Sequence, residues 1–332
     1  SKLLGRRSVG VDIHPLGVFM SEVKTTKIPP DELSVAPTIL TIIEKRIDSA
    51  TKLHREKTLL DFVTNPSESE SFHYVVPKFP NGDHWFQEHV LHELSILYTS
   101  VMEADVSLKL RNLLLLAFSC IIVPVSNQDS ETRYAAIKKR IQPKQPFTLF
   151  KHKAMDMVER MRTFFQVASD CEANAYHADA RELDFLEDNS ADVIITSPPY
   201  PNTYDYYLYH KLRMFWLKMD WERAKHNEIG SRLRHSSQRE NVDTYMRDMA
   251  KCFEHFSRIL KPRRPFVIVV GDSIIRKELL RGDEVVSELA KRTGFGLVEK
   301  AEYNLSYASK TFNPAFRNRA KLEHIILLRN QK

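Results

Sequence analysis

The stretch Ala191-Asp192-Val193-Ile194-Ile195-Thr196-Ser197-Pro198-Pro199-Tyr200 decides the fold. Its first six residues are short, apolar at the centre and β-branched, which predicts a buried parallel strand rather than a helix. The Ser-Pro-Pro-Tyr turn then falls at the C-terminal end of that strand, where open α/β sheets bind their ligands. Two consecutive prolines fix two φ angles and remove two N–H donors, so nearby carbonyls are held outward as acceptors. An exocyclic amine suits that frame. Its two protons can go to the Ser197 hydroxyl and the Pro198 carbonyl, while Tyr200 offers an aromatic face to a base extruded from a duplex. The same tetrapeptide can also be a plain Pro-rich turn or a polyproline II ligand.

Working outward, the chain of 332 residues is long enough for one large core or two smaller ones. A formal charge of +6 permits nucleic-acid binding without requiring it. Cys120, Cys171 and Cys252 stand far apart with no C-x-x-C spacing, which points to a reducing, cytoplasmic setting and away from a zinc ribbon. The apolar run at 113–125 is too short to span a bilayer and reads as a core helix. His84, His89 and His92, with Glu88 and Glu93, match no established zinc spacing and read as histidines of an amphipathic helix.

Strands are expected at 8–12, 173–177, 265–270, 297–303 and 324–329, with helices at 241–260 and 282–293. Lys2 to Gly5 reads as a last helical turn closed by a C-cap glycine. Asp12 ends the first of these strands; it can hydrogen-bond ribose hydroxyls, or cap the helix opening at Pro15. Between 29 and 169 the apolar residues repeat at helical spacing: Ile39, Leu40, Ile42, Ile43 and Ile47, then Phe86, Val90, Leu94, Leu97 and Val101, then Leu110, Leu113, Leu114 and Ala117. An extended connector is expected at 72–82 and a polar loop at 126–134. Nine Lys/Arg lie between Arg133 and Arg162, with Tyr134, Phe147 and Phe150 interleaved. Such a stretch can grip a phosphate backbone or simply face solvent. After the turn, 201–217 is dense in aromatics, some for a core and others for a base pocket. Asp205 there can position a substrate or cap a helix. A mobile basic loop is expected at 222–240, and Lys310, Arg317, Arg319 and Lys321 form a further basic set.

Thr196-Ser197-Pro198-Pro199-Tyr200 resembles motif IV of the amino-methylating DNA methyltransferases, in the Ser form common among cytosine-N4 enzymes. The resemblance extends to Gly10-Val11-Asp12-Ile13-His14-Pro15, to His177-Ala178-Asp179-Ala180-Arg181, and to Ile259-Leu260-Lys261-Pro262 leading into Phe266 to Ser273. No Pro-Cys dipeptide occurs, which disfavours the cytosine-C5 enzymes with their cysteine nucleophile. The resemblance implies an α/β fold, a Rossmann-like class I methyltransferase sheet with a large mainly helical insertion. Residues 1–28 and 170–332 would form the methyltransferase core, and 29–169 the insertion that could contact DNA. S-adenosylmethionine is the implied cofactor, held by Asp12, Ile13, Asp179 and Ala180; Asp179 can instead make an Asx turn. Ser197, Pro198, Pro199 and Tyr200 would hold the flipped base, and the product implied is N4-methylcytosine in DNA. An RNA amino-methyltransferase and a non-catalytic DNA-binding subunit are the alternatives.

One part of the family pattern is missing. The only G-x-G is Gly294-Phe295-Gly296, late in the chain, and no Gly-rich loop precedes Asp12. The expectation is therefore either truncation before Ser1 or a second chain that supplies the first strand and its loop.

Overall fold

A computed structural model describes residues 1–60, 77, 81–202, 204–231, 242–275, 278–305 and 321–332. Most of the expected connector at 72–82 lies outside the described residues, as do Arg232, Arg234, Arg239, Lys310, Arg317 and Arg319. The chain divides into two compact units, each considered by itself.

The first unit comprises Ser1–Gly10, His14–Tyr176 and Leu208–Trp221. Its long helices are Ala36–Leu60, Glu88–Glu103, Leu108–Val125 and Gln145–Val167. The helical spacing of their apolar residues produces one shared core containing Leu40, Ile43, Val90, Leu94, Leu114, Phe118, Phe150 and Trp216. Trp216 is fully buried, with the rings of Phe118 and Phe86 at 5.6 and 6.2 Å. Each such side chain contributes about 1.5–3 kcal/mol by leaving water. Ser107 caps the Leu108–Val125 helix, its hydroxyl accepting from the Leu110 N–H at 3.3 Å. That helix is long and apolar enough to cross a membrane by composition, but its apolar side packs into this core. Buried Glu93 accepts from the N–H groups of Lys144 and Phe147, at the start of the Gln145–Val167 helix.

Two expectations for this unit are corrected. The polar stretch after the Leu108–Val125 helix forms a hairpin rather than a loop. Gln128 is buried there, its amide donating to the carbonyls of Ser130 and Tyr209, so its polarity serves local order. Phe147 and Phe150, expected on a basic face, are core residues.

Two short strands, β1 (Ser8–Asp12) and β4 (Ala173–His177), pair with each other in a sheet of their own. The hairpin strands above are β2 (Gln128–Ser130) and β3 (Arg133–Ala136).

The second unit comprises Val11–Ile13, His177–Tyr207 and Glu222–Lys332. Its sheet has the order β5-β6-β10-β9, built from β5 (Ile194–Thr196), β6 (Pro265–Gly271), β9 (Phe295–Asn304) and β10 (Leu322–Asn330). A hairpin of β7 (Ser273–Ile275) and β8 (Glu278–Leu280) follows β6. β5 and β6 are parallel, which requires a crossover, and the Val242–Ile259 helix supplies it. β10 runs antiparallel to both β6 and β9, so β9 is parallel to β6. The Gly282–Thr293 helix makes that second crossover and ends at Gly294 with φ 80°, a left-handed cap that glycine adopts without strain. Phe253, Phe266 and Phe295 meet beneath the sheet, with Phe266 5.2 Å from each of the others. Parallel strands, helical crossovers and one reversed strand make this an α/β sheet of the Rossmann-like kind. The ends of β5, β6 and β9 and the start of β10 share one edge, which carries Ser197, Asp272, Tyr303 and Glu323.

Candidate functional site

β5 delivers the turn to that edge. Ser197 is exposed just past the strand and Pro198 is buried behind it. The Pro199 carbonyl accepts from the Tyr245 hydroxyl at 3.2 Å, from within the Val242–Ile259 helix. The Tyr200 hydroxyl donates to Glu323 Oε1 at 2.8 Å, on β10. Its ring lies against Gly271 so closely that a Cβ at that position would stand 2.7 Å from Tyr200 Cε2. Burial raises the Tyr200 pKa, and the bond to Glu323 raises it further, so the phenol stays protonated and donates. Asn202 closes the turn: its N–H goes to the Gly230 carbonyl and its amide to the Ile274 carbonyl at 2.8 Å. The helix, β10 and the β6–β7 corner therefore all hold the turn in place.

A buried carboxyl that sequence reasoning passed over lies next along the chain. Glu228 is 5% exposed, and its oxygens accept from the N–H groups of Tyr206 at 2.9 Å and Tyr207 at 3.4 Å. Burial pushes its pKa up to about 7 against the pull of those two donors, and nearby Asp205 and Asp12 raise it further. The sequence placed this acid inside the stretch read as a mobile basic loop; the one signal was the glycine two residues on, Gly230, which takes a φ of 67°. Asp205 is itself buried.

Asp12 is exposed at the end of β1, and its carbonyl accepts from the Ala178 N–H at 3.2 Å. The Ile13 carbonyl meets His177 Nε2 at 3.0 Å. Asp179 follows β4, but its carboxylate is already engaged. Oδ1 accepts from the backbone N–H and Nε of Arg181, both at 2.9 Å, and Oδ2 accepts from Nη2 at 2.6 Å. Burial opposes ionisation, yet these bonds outweigh it and hold the Asp179 pKa below its ordinary value. Arg181 also reaches Asp248 at 3.0 Å and the Asn227 carbonyl. Ala180 packs against the core of the second unit. Asp12, Ile13, Asp179, Ala180 and the Ser197–Tyr200 turn thus all belong to one compact unit. Nearby Cys252 is buried, and burial pushes its thiol up to about 12, which disfavours the thiolate.

Among the described residues, Asp272, Asp283 and His324 bring three ligand atoms within 4.8 Å of one another. Arg281 pairs with Asp272 at 3.2 Å and Lys300 with Asp283 at 2.7 Å, so protein cations already balance these carboxylates. The group reads as an ion network tying strand ends together. His84 stacks edge-on to Trp85, and His89 Nε2 bonds the Ile141 carbonyl.

No protein-family model and no curated protein matches the chain. Among solved structures it is similar to a protein of Thermus thermophilus, provisionally described as a DNA modification methylase and complexed with S-adenosyl-L-methionine. Identity is 18%, over 47% of this chain and 54% of that one, with a TM-score of 0.31. It is also similar to a SAM-dependent methyltransferase of Methanosarcina mazei, at 10% identity over 54% of this chain and 77% of that one, TM-score 0.28. The chain spans about half the length of the Thermus protein. At these scores the likeness carries no argument about ligand or reaction.

Proposed function

We propose that the protein is an S-adenosylmethionine-dependent methyltransferase that methylates the exocyclic amine of a flipped DNA base, cytosine N4. The observation that carries this reading is the Ser197-Pro198-Pro199-Tyr200 turn at the C-terminal end of β5. Ser197 is open to solvent there, while Tyr200 is locked by Glu323 and Gly271. Ser197 Oγ and the Pro198 carbonyl would accept the two amine protons, and Tyr200 would hold the base. This fixes the amine in place, so catalysis comes mainly from positioning.

Asp12 fits a cofactor role: an exposed carboxylate at a strand end can accept from ribose hydroxyls. Ile13 and Ala180 would flank the adenine. Asp179 fits less fully, because Arg181 already bonds both its oxygens. When bound, the cofactor supplies an electrophilic methyl on sulfur. Among the described residues β5 is an edge strand with Ile195 72% exposed, so a further strand from a companion chain would find backbone groups to pair with.

The test is incubation with methyl-labelled cofactor and DNA, followed by nuclease digestion and mass spectrometry. N4-methylcytosine is the expected product. Label on adenine alone, or on RNA alone, would overturn the base or the substrate assignment. The engagement of Asp179 favours a second reading, a DNA-binding subunit without methyl transfer. Calorimetry with the cofactor separates the two, since a subunit of that kind shows no binding heat.

A further inference from the structure

We propose that Tyr245 is a positioning residue of the amine site: its hydroxyl holds the one backbone torsion that the two prolines leave free, ψ of Pro199, and so sets Tyr200 relative to Ser197 and the Pro198 carbonyl. The inference rests on the amino-methyl transfer reading above. It begins with the torsions between Ser197 and the Tyr200 amide. The rings of Pro198 and Pro199 lock φ at both residues. Ser197 and Pro198 each precede a proline, and the clash with the proline Cδ confines ψ at both to the extended range. The peptide bonds between them are planar. Only ψ of Pro199 is then left to turn, because the residue after it, Tyr200, is not a proline. That torsion aims the Pro199 carbonyl, and this carbonyl accepts from the Tyr245 hydroxyl at 3.2 Å. One side chain from another element therefore completes what the two prolines begin.

Tyr245 is itself held. It is 2% exposed on the Val242–Ile259 helix, in one core with Met249 and Phe253. Gly230 fits between its ring and the chain leaving the turn: a Cβ at Gly230 would stand 3.1 Å from Tyr245 Cδ2 and 3.1 Å from Pro201 Cα. The Gly230 carbonyl also accepts from the Asn202 N–H, at 2.9 Å. The turn is thus gripped at Pro199 and again just past it, by residues of one compact unit. Tyr200 is anchored separately, with its hydroxyl on Glu323 and its ring against Gly271. Removing the Tyr245 hydroxyl leaves that platform for a base in place and frees the backbone between it and the amine acceptors. A misplaced amine costs rate rather than affinity.

Two readouts test the proposal. Pro199-Tyr200 is the only Pro-Tyr pair in the chain, so protein labelled with carbonyl-13C proline and 15N tyrosine gives a single carbonyl–amide cross-peak. In Tyr245→Phe that carbonyl signal is expected to move upfield, because the carbonyl has lost its donor. An unmoved signal overturns the inference without reference to activity. In methyl transfer, Tyr245→Phe is expected to lower kcat about 3- to 10-fold, the loss expected for one neutral hydrogen bond, with KM for DNA unchanged. A merely structural tyrosine would lower the unfolding midpoint and leave the kcat of folded protein alone, and that result, or a raised KM with kcat intact, overturns the proposal. Should Tyr245→Phe not fold, 3-fluorotyrosine at position 245 replaces it. This is a stronger donor of nearly the same size, so the carbonyl signal should move downfield, and an unmoved signal again overturns the inference. If wild-type protein transfers no methyl group, the parent reading fails, while the carbonyl signal still decides whether Tyr245 holds the turn.

Discussion

Glu228 is the residue at which the fold sets itself against ordinary ionisation. Its carboxyl ordinarily titrates near 4.5, and burial pushes it up to about 7. The folded chain therefore keeps a proton that the unfolded chain has lost across that interval. Below about pH 4.5 both states hold the proton and there is no penalty. As pH rises toward 7, the unfolded state binds fewer protons and stability falls; above 7 it stays lowered. The whole effect is roughly 3 kcal/mol for a shift of this size. Glu228→Gln removes the titration and still accepts one N–H through its amide oxygen. Urea unfolding midpoints should fall with rising pH in wild type and stay level in the variant. A wild-type midpoint that climbs from pH 5 to 7 after acidic titrations common to both proteins are subtracted would sink the idea.

Asp272 does for strands what Glu228 does for a loop. It is fully buried and accepts from His324 Nε2 at 2.9 Å, the Gly282 N–H at 3.1 Å, the Leu322 N–H at 3.2 Å and Arg281 at 3.2 Å. The end of β6, the start of β10 and the start of the Gly282–Thr293 helix thereby meet on one side chain. Asp272→Asn would turn an amide N–H₂ toward donors and strip Arg281 of its partner, costing about 3–5 kcal/mol as a broken buried pair does. Denaturant titration measures it, and a loss under about 1 kcal/mol would mean that other contacts register these strands. The elements joined here were legible in the sequence because each has a local pattern: a continuous apolar, β-branched run at 265–270, helical spacing from Gly282 to the Gly294 cap. The joint itself was not. Asp272 and His324 are far apart in the chain, and no local pattern connects an acid after one strand to a histidine in another. The β2–β3 hairpin escaped for a different reason: a short strand of polar residues with only Gln128 buried carries no apolar alternation to read. The candidate site divides in the same way. Ser197 to Tyr200 announced themselves through two prolines after an apolar run, whereas Glu323 and Glu228 became visible only where distant segments met.

Charge acts over the whole chain, and one stretch carries much of it. The net excess is +6, with nine basic residues gathered between Arg133 and Arg162. Six of those, Arg133, Lys144, Lys151, Lys153, Arg160 and Arg162, are ion-paired with carboxylates of the first unit. Surface pairs of this kind add little stability, but they lessen the field that the stretch presents to a phosphate. Lys138 and Arg140 are exposed and stand in the same run. If DNA binds along it, affinity should fall steeply with salt, the logarithmic slope being about −0.9 per phosphate neutralised. Replacing both Lys138 and Arg140 by alanine should then flatten the slope by about 2 and weaken binding to all sequences alike. Fluorescence anisotropy across a salt series, with one labelled duplex and both proteins, measures the two slopes directly. Equal slopes would move the phosphate contacts off this stretch and onto other basic segments, while a flat wild-type slope would remove electrostatic DNA binding from the account of the protein altogether.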